Sequence, residues 1–211
     1  VIMLPDQNHA QSRVIRPEPA YRLAEVPPRK TAGPDEAYQR YEVTADGVSP
    51  MAVPGTACST YVADGLEHAE SGKPSTAAAD HAAQLDKRQR KIDDFDYGEH
   101  WADLRGPGDS AIITWGSTTA AVREAMDRLE ARGEKVKVIA LRLLLPASPD
   151  KLDAALAGVK RVLVVEQSHG KQFYRYLRAF YDLPKATLSE ARPGPLPITP
   201  GEIVQHYENW S

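Results

Sequence analysis

Side chains that could transfer protons follow a predicted strand directly at Glu166, Gln167, Ser168 and His169. They bring a carboxylate, an amide, a hydroxyl and an imidazole together, which is a set that could serve acid–base chemistry. No serine–histidine–aspartate spacing and no nucleophile elbow accompanies them. We therefore favour a polar strand end that packs against a partner subunit, with Glu166, Gln167 and His169 as its candidate residues.

Gly116, Ser117 and Thr118 follow another predicted strand and stand at the start of a helix. Free backbone N–H groups and hydroxyls at a helix start could bind an anion. A phosphate loop or a dinucleotide fingerprint needs several glycines, and this turn has one. These three residues are therefore weak anion-site candidates, and simple capping of the helix by Ser117, Thr118 or Thr119 is the favoured interpretation.

Asp64, Glu67, His68 and Glu70 concentrate acidic groups around one histidine. A metal site is conceivable there, but the paired i, i+4 ligands that make a metal motif specific are missing. We favour a hydrogen-bonded structural turn. The sequence thus predicts no metal site and no catalytic residue in this chain.

A basic run occupies the end of a predicted helix, which covers about residues 75–92 with Ser75 as its cap. Its cations could bind an anion; they are Lys87, Arg88, Arg90 and Lys91. A solvated helix end that complements the helix dipole is the favoured alternative. The apolar stripe of this helix is thin, with Ala78, Ala82, Leu85 and Ile92.

Alternating strands and helices follow residue 108 and predict an α/β domain over residues 109–211. The predicted strands span 111–115, 136–145, 161–166 and a short edge strand at 186–190. Two strand–helix–strand passages imply an open, mostly parallel sheet with helices on both faces. The Thr199 to Glu202 spacing predicts a capping box at the last helix. Helical spacing predicts inward-facing side chains, including Val122, Ala125, Met126, Leu129, Leu152, Ala155, Leu156, Phe173, Tyr176, Leu177, Phe180, Ile203, Val204, Tyr207 and Trp210.

The sequence before residue 109 predicts two further parts. Residues 1–4 resemble an interior strand without an initiator methionine, so we expect residues 1–11 to be the end of an upstream domain. Residues 12–108 predict an extended, proline-rich arm that contains one helix. Its apolar anchors could dock on a partner surface, among them Tyr21, Leu23, Tyr38 and Tyr41. Residues 41–55 could hold polar groups in a fixed pose, although composition favours a loop that only connects.

Composition narrows the possible partners and compartment. A formal net charge of -3 over 211 residues predicts neither nucleic-acid nor membrane binding. No apolar run is long enough for a membrane span. Cys58 is the single cysteine, which excludes an intrachain disulfide framework and favours a reducing compartment, with the cytoplasm as the expected location.

Several segments carry a family resemblance. GSTTAAVREAMDRLEARG, VKVIALRLLLPASPDKL and RVLVVEQSHGKQFYRYLR resemble the transketolase C-terminal-type domain of 2-oxoacid:ferredoxin oxidoreductase alpha subunits. Upstream, LPDQ, YEVTADGVSPMAVPGT, GLEHAESG and KRQRKI resemble, in the same order, the region that joins this domain to a thiamine-binding domain. The resemblance covers nearly the whole chain. One departure is Met51, where the resemblance implies an arginine.

The resemblance implies an enzyme that oxidatively decarboxylates a 2-oxoacid, with 2-oxoglutarate as the expected substrate, to an acyl-coenzyme A. It implies a hetero-oligomer with a beta subunit, with ferredoxin, the 2-oxoacid and coenzyme A binding the complex. Thiamine diphosphate, Mg and an iron–sulfur cluster belong to the full complex, and we expect this chain alone to bind none of them. Its expected role is structural and docking, including a wall of the coenzyme A approach.

Two alternatives remain open from the sequence. One is a freestanding doubly wound module that binds a small molecule or an anion. The other is the C-terminal domain of a transketolase or of a branched-chain dehydrogenase subunit. The proline-rich segment and the acidic turn around His68 favour the ferredoxin-linked family over the second alternative.

Overall fold

The computed structural model describes residues 2–11, 13, 15, 17–18, 20, 28–33, 37–57 and 59–210. The chain separates into two compact units. Val1–Arg16 and Tyr97–Ser211 form the first, which we call the sheet unit. Pro17–Asp96 form the second, which we call the arm unit. Tyr21, Leu23, Val1 and Cys58, which carry sequence predictions, lie outside the described residues.

Five strands form one sheet in the sheet unit. They are β1 (Ala102–Arg105), β2 (Ser110–Trp115), β3 (Val136–Leu141), β4 (Arg161–Glu166) and β5 (Ala186–Ala191). Their order across the sheet is β1-β3-β2-β4-β5. β1 pairs with β3 in the antiparallel direction, whereas the other neighbouring strands are parallel. This arrangement confirms the predicted open, mostly parallel α/β fold.

The described α-helices are α1 (Gln7–Gln11), α2 (Ala78–Asp93), α3 (Thr119–Glu130), α4 (Pro149–Ala155), α5 (Gln172–Phe180) and α6 (Pro200–Glu208). All except α2 belong to the sheet unit. α3 to α6 alternate with the strands or follow the last one, as the sequence predicts. Among the described residues, no helix combines the length and the apolar character needed to cross a membrane.

Both faces of the central strands are buried. Alternate residues of a strand point to opposite faces, so Ile113 of β2 packs in one core and Ile112 in the other. The first core contains Leu152 of α4 and Leu177 of α5. The second contains Leu129 of α3, together with residues of α6. Each fully buried side chain of this kind contributes about 1.5–3 kcal/mol through removal from water, so the two cores hold the three layers together.

The predicted strand over 136–145 ends earlier, at Leu141. The backbone N–H groups of Arg142 and Leu143 both donate to the carbonyl oxygen of Trp101, at 2.8 and 3.0 Å. Since these groups bind the residue that precedes β1, they no longer join the parallel ladder. The prediction was therefore four residues too long.

Two other predicted positions differ from the structure. Phe180 was expected to face the core, but it is 47% exposed at the last residue of α5. Residues 2–4 are exposed and lie in no strand of the described chain, so a terminal strand is not formed here.

The sheet unit starts before the predicted boundary at Asp109. β1 and the short 3-10 helix Gly98–Trp101 belong to it, and residues 1–16 group with it as well. β1 carries no sequence signal that distinguishes it from a loop, because it has four residues and only one of them is buried. The assignment of residues 1–11 to an upstream domain, and of 12–108 to a single connector, stays a prediction.

In the arm unit, the loop of residues 41–49 packs on α2. Gly47 has a left-handed φ of 69°, and a Cβ there would lie 2.7 Å from the Lys87 carbonyl oxygen. The absence of a side chain at Gly47 therefore allows a close approach of two backbones.

The buried side of α2 is polar. Gln84 and Lys87 are its buried residues, whereas Leu85 and Ile92 of the predicted apolar stripe are exposed. Ser75 does not occupy the N-cap position, which is Ala77. Its hydroxyl accepts a hydrogen bond from the Ala77 backbone N–H, at 3.2 Å. Polar rather than apolar residues of α2 are buried because the loop of residues 41–49 packs on them. Its carbonyl oxygens need hydrogen-bond donors, and Gln84 and Lys87 provide them.

α4 and α6 begin with the same pattern of a hydroxyl residue followed by proline, but their caps differ. Thr199 Oγ1 accepts from the Glu202 backbone N–H at 3.3 Å, and the Glu202 carboxylate accepts from the Thr199 backbone N–H at 2.8 Å. This is the predicted capping box. At α4, the Ser148 side chain makes no capping hydrogen bond.

We predict that Thr199→Ala lowers the free energy of unfolding by about 1 kcal/mol, because an N–H of α6 loses its acceptor. Ser148→Ala is the matched control and should cost less than about 0.5 kcal/mol, since no capping bond is lost. Urea unfolding of both variants measures the difference. Equal losses would contradict the assigned caps.

Candidate functional site

A groove of about 830 Å³ lies where the parallel strands end. It is lined by residues that follow β2, β4 and β5 and by residues of α1, including His9, Ser117, Arg123, Gln167, Ile198 and Thr199. A second cavity of about 390 Å³ shares Gly116, Ser117 and Gln167 with it. We call the two together the strand-end groove. Ligands of open α/β sheets bind at this edge, so it is the candidate functional site of the sheet unit.

The candidate anion-site residues form one wall of the strand-end groove. Gly116 has a left-handed φ of 61°, and a Cβ added there would meet no atom within 4 Å. Residues 116–118 form a 3-10 turn, and α3 follows with no side-chain capping bond. The favoured interpretation, capping by Ser117, Thr118 or Thr119, is therefore wrong. Anion binding by this turn stays a prediction.

The hydroxyls of the turn bind other partners. Thr118 Oγ1 donates to the Trp115 carbonyl oxygen at 2.7 Å and lies 2.6 Å from Thr114 Oγ1. Thr114 Oγ1 in turn donates to the Val165 carbonyl oxygen at 2.9 Å. These buried contacts join β2 to β4 below the groove, so the two threonines hold its floor.

Ser117 donates a hydrogen bond to the carboxylate of Asp6. The same carboxylate accepts from the His9 backbone N–H at 2.7 Å at the start of α1. Burial raises the pKa of Asp6, but the hydrogen bonds from Ser117 and His9 and the charge of His9 outweigh it, so the pKa is lowered. A carboxylate of the chain itself thus contacts the turn proposed to bind anions. Sequence analysis did not single out Asp6. The LPDQ segment that contains it was noted only for the family resemblance.

Glu166 is 1% exposed, and both of its oxygens bind the start of α5. One oxygen accepts from the Phe173 backbone N–H at 2.9 Å and from Ser168 Oγ at 2.5 Å. The other accepts from the Tyr174 backbone N–H at 2.9 Å. The carboxylate therefore caps a helix whose N-cap residue, Lys171, provides no side-chain acceptor. Glu166 itself is enclosed by its own chain, and packing of this strand end against a partner subunit stays a prediction.

Gln167 and His169 are not brought together with Glu166 in one hydrogen-bonded set. Gln167 Nε2 donates to the Leu196 carbonyl oxygen at 3.1 Å, and its Oε1 is buried without a hydrogen-bond partner. His169 is exposed. An acid–base set of the kind first considered is therefore not assembled, although Gln167 does line the strand-end groove.

Arg123 also lines the strand-end groove, and its carboxylate partner is Asp103 of β1 rather than a neighbour on its own helix. Its Nε is buried without a hydrogen-bond partner. Sequence analysis did not single out this residue for the site. The contact could not be found from helical spacing because β1 itself was not predicted.

Hydrogen bonds and a ring stack hold the acidic turn of the arm unit in place. Glu67 accepts from Arg88 Nη2 at 2.8 Å and lies 2.9 Å from His81 Nδ1. These bonds, with the one from Arg88 first, lower the pKa of Glu67 to about 2. His68 is buried and stacks on the Tyr41 ring with centroids 4.5 Å apart. Over the described residues, no group of three or more potential ligands could hold a metal ion.

The predicted basic helix end is not simply solvated. Lys87 Nζ donates to the Tyr41 carbonyl oxygen at 2.9 Å, and Arg90 Nη2 donates to the Thr44 carbonyl oxygen at 3.0 Å. The loop of residues 41–49 therefore does more than connect, because it binds the cations of α2. Tyr38 and Tyr41 are half-buried inside the arm unit and do not form the expected exposed docking surface.

Met51, the departure from the family pattern, lies beside a guanidinium. Arg29 Nη1 is 3.5 Å from Met51 Sδ, and both residues line a cavity of about 370 Å³ in the arm unit. A positive charge is therefore present next to the position where the resemblance implies arginine.

Residues 99–186 match the family model described as transketolase, C-terminal domain. The chain is 35% identical over 151 residues to the 2-oxoacid:ferredoxin oxidoreductase 2 alpha subunit of Aeropyrum pernix, which covers 69% of this chain and 23% of that relative. It is 33% identical over 165 residues to the 2-oxoglutarate oxidoreductase subunit KorA of Mycobacterium tuberculosis, covering 74% of this chain and 24% of the relative.

Among solved structures, 2-oxoglutarate:ferredoxin oxidoreductase from Magnetococcus marinus matches with a TM-score of 0.76 and 38% sequence identity. The match covers 86% of this chain and 32% of the other. The chain thus spans under a quarter of the length of the two curated relatives. These similarities confirm the resemblance stated from the sequence.

We predict that Gly116→Val lowers the free energy of unfolding by about 2 kcal/mol, because a β-branched residue is strained at positive φ. Gly116→Asn is the matched control and should cost less, since asparagine tolerates this region. Ser117→Ala should cost about 1 kcal/mol for one partly exposed hydrogen bond. Thermal melts rank the three variants. A Ser117→Ala loss larger than that of Gly116→Val would instead indicate a specific role for the Ser117 hydroxyl.

We further predict that Glu166→Gln lowers the free energy of unfolding by about 2–3 kcal/mol. The amide can replace only one acceptor oxygen, so an N–H of α5 loses its partner. Glu130→Gln, an exposed glutamate of α3, is the control and should have little effect. A Glu166→Gln variant as stable as the parent chain would contradict the capping role.

Proposed function

Because the chain is a relative of the alpha subunits of 2-oxoacid:ferredoxin oxidoreductases, we propose that it forms the C-terminal part of such a subunit. The enzyme would oxidatively decarboxylate a 2-oxoacid to an acyl-coenzyme A and pass the electrons to ferredoxin. The similarity to the Magnetococcus marinus enzyme, which extends over 86% of this chain, carries this proposal. The names of that enzyme and of the mycobacterial relative support 2-oxoglutarate as the substrate.

We place the chemistry of the cofactors in other parts of the complex. Thiamine diphosphate would stabilise the carbanion, and an iron–sulfur cluster would accept single electrons. The polar groups at the strand ends of this chain are used internally, since Glu166 caps α5 and Asp6 binds Ser117. The proposed role of the chain is therefore structural, and it positions neighbouring parts of the enzyme.

The docking surface that we propose is the edge of the sheet where the strands end. Four large apolar side chains are exposed on the segments that form or follow this edge: Met3, Leu4, Trp115 and Leu145. The occupant we propose is the remainder of the alpha subunit, because the matched relatives are about four times as long as the matched region. The strand-end groove beside these residues is a candidate wall of the coenzyme A approach.

A reconstituted enzyme tests this function. The chain alone should not oxidise 2-oxoglutarate. Combined with the remainder of the alpha subunit and the beta subunit, it should support reduction of a viologen dye that depends on 2-oxoglutarate and coenzyme A. Turnover by the chain alone, or equal dye reduction by an assembly that lacks the chain, would contradict the proposal.

Trp115→Ala tests the docking surface within that assembly. Trp115 is 44% exposed, and loss of a large aromatic contact should weaken binding of the chain to its partners about tenfold or more. Phe180→Ala is the matched control, because Phe180 is 47% exposed on the same unit but lies at the end of α5. Binding measured by calorimetry should be unchanged for Phe180→Ala. Equal weakening by both substitutions would place the interface elsewhere.

A further inference from the structure

Six cationic side chains line one cavity of about 370 Å³ in the arm unit. We call it the basic cleft, and its cations are Arg29, Lys30, Arg40, Lys87, Arg88 and Lys91. Neutral residues complete the wall, including Ser49 and Gln84. Cavities of this size hold small ligands in other proteins. The concentration of one sign of charge in a concave site favours an anion.

Carboxylates neutralise only part of this charge. Asp46 lies 3.3 Å from Lys30, and Glu67 binds Arg88. Among the described residues, no ion pair involves Arg29, Arg40, Lys87 or Lys91. Two carboxylates thus pair with the six cations, and Glu70 is a further carboxylate near enough to raise the pKa of Lys87.

Lys87 is the most buried cation of the basic cleft. Its side chain is 5% exposed, and its ammonium lies 2.9 Å from the Tyr41 carbonyl oxygen and 3.0 Å from Ser49 Oγ. Burial lowers the pKa of Lys87, and the charges of Arg88 and Arg40 lower it further. The charges of these two arginines therefore affect the pKa of Lys87 more than the charges of the nearby carboxylates do. The ammonium group of Lys87 already donates to the Tyr41 and Ser49 oxygens. Lys87 therefore adds a positive charge to the wall of the cleft, while other residues would contact a ligand.

Arg40 and Lys91 have donors available for a ligand. The Arg40 guanidinium lies over the Tyr41 and Tyr61 rings, at 5.4 and 5.7 Å from their centroids, which leaves its edge for hydrogen bonds. Lys91 is exposed on α2. Together with Arg29, these residues offer two planar forks and one ammonium, which suit tetrahedral oxyanions.

Gln84 provides an independent feature of the basic cleft. It is 2% exposed, and its Nε2 donates to the Tyr41 carbonyl oxygen at 2.7 Å. Its Oε1 is buried and has no hydrogen-bond partner. A buried acceptor without a donor is costly, so a ligand hydroxyl or N–H that reached it would be favoured. Gln84 is also one of the residues that line the cleft, so the wall contains this unsatisfied carboxamide beside its cations.

We propose that the basic cleft binds a small phosphate-bearing ligand, with Arg29, Arg40 and Lys91 contacting phosphate oxygens and Gln84 accepting from a ligand hydroxyl. The contacting residues all lie within the arm unit, so the inference does not rest on the proposed enzyme activity. A small ligand is favoured over an acidic protein because the cations line a concave cavity that also contains a buried acceptor.

Calorimetry of the full chain with inorganic pyrophosphate tests the anion part of the site. The expected result is one saturable binding event that weakens about tenfold in Arg40→Gln and in Lys91→Gln. Arg178→Gln is the matched control, since it removes one exposed charge from α5 of the sheet unit. It should leave the affinity unchanged. Lys91 is exposed, so its variant should keep the melting temperature of the parent chain and report on binding even if Arg40→Gln unfolds.

Two phosphate esters test the role of Gln84. Glycerol 3-phosphate should bind about fivefold more tightly than methyl phosphate, because its hydroxyls can donate to Oε1. The difference should disappear in Gln84→Met, which keeps a similar volume without the acceptor. Equal affinities for the two esters in the parent chain would overturn this part of the proposal.

Three results would overturn the proposal as a whole. The first is the absence of saturable pyrophosphate binding. The second is equal weakening by Arg178→Gln, which would indicate a general effect of charge. The third is binding of an acidic ferredoxin, lost in Lys91→Gln, by a chain that does not bind pyrophosphate, which would make the surface a protein-docking site.

Discussion

Burial of both faces of β2, β3 and β4 is the constraint on which the sheet unit depends. Their apolar residues enter two cores, which requires helices on each side of the sheet. Helices can cover both faces only if the chain crosses over between parallel strands. The crossovers then bring the ends of β2 and β4 to one edge, where the strand-end groove lies. The position of the groove is therefore a consequence of the hydrophobic effect.

Polar groups at that edge mainly stabilise the fold. A buried carboxylate needs donors, and Glu166 finds them in the first N–H groups of α5. Thr114 and Thr118 are buried hydroxyls that bond across β2 and β4 in the same way. These groups therefore act within the fold of the sheet unit.

The arm unit is organised by polar contacts instead. Gln84 and Lys87 are buried because they bind carbonyl oxygens of the loop of residues 41–49, and Gly47 allows that loop to approach α2. Burial of an ammonium requires several acceptors, and the loop provides them. The cations that remain form the basic cleft. A folded polar unit of this kind can hold a charged surface in a defined shape, which an extended connector could not do.

The sequence by itself determined the α/β class, the approximate bounds of four strands, the buried faces of α3 and α6, and the Thr199 capping box. Each of these depends on residues close together in the chain, whose periodicity or spacing reports local geometry directly. β1, the end of β3 at Leu141 and the exposed side of α2 were decided only in three dimensions. The partners of the polar groups were decided there too, as Asp6 binds Ser117 and Lys87 binds the loop of residues 41–49. Hydrogen bonds between residues far apart in the chain leave no periodic signal, because any nearby acceptor satisfies a donor equally well and only tertiary packing selects which one is near.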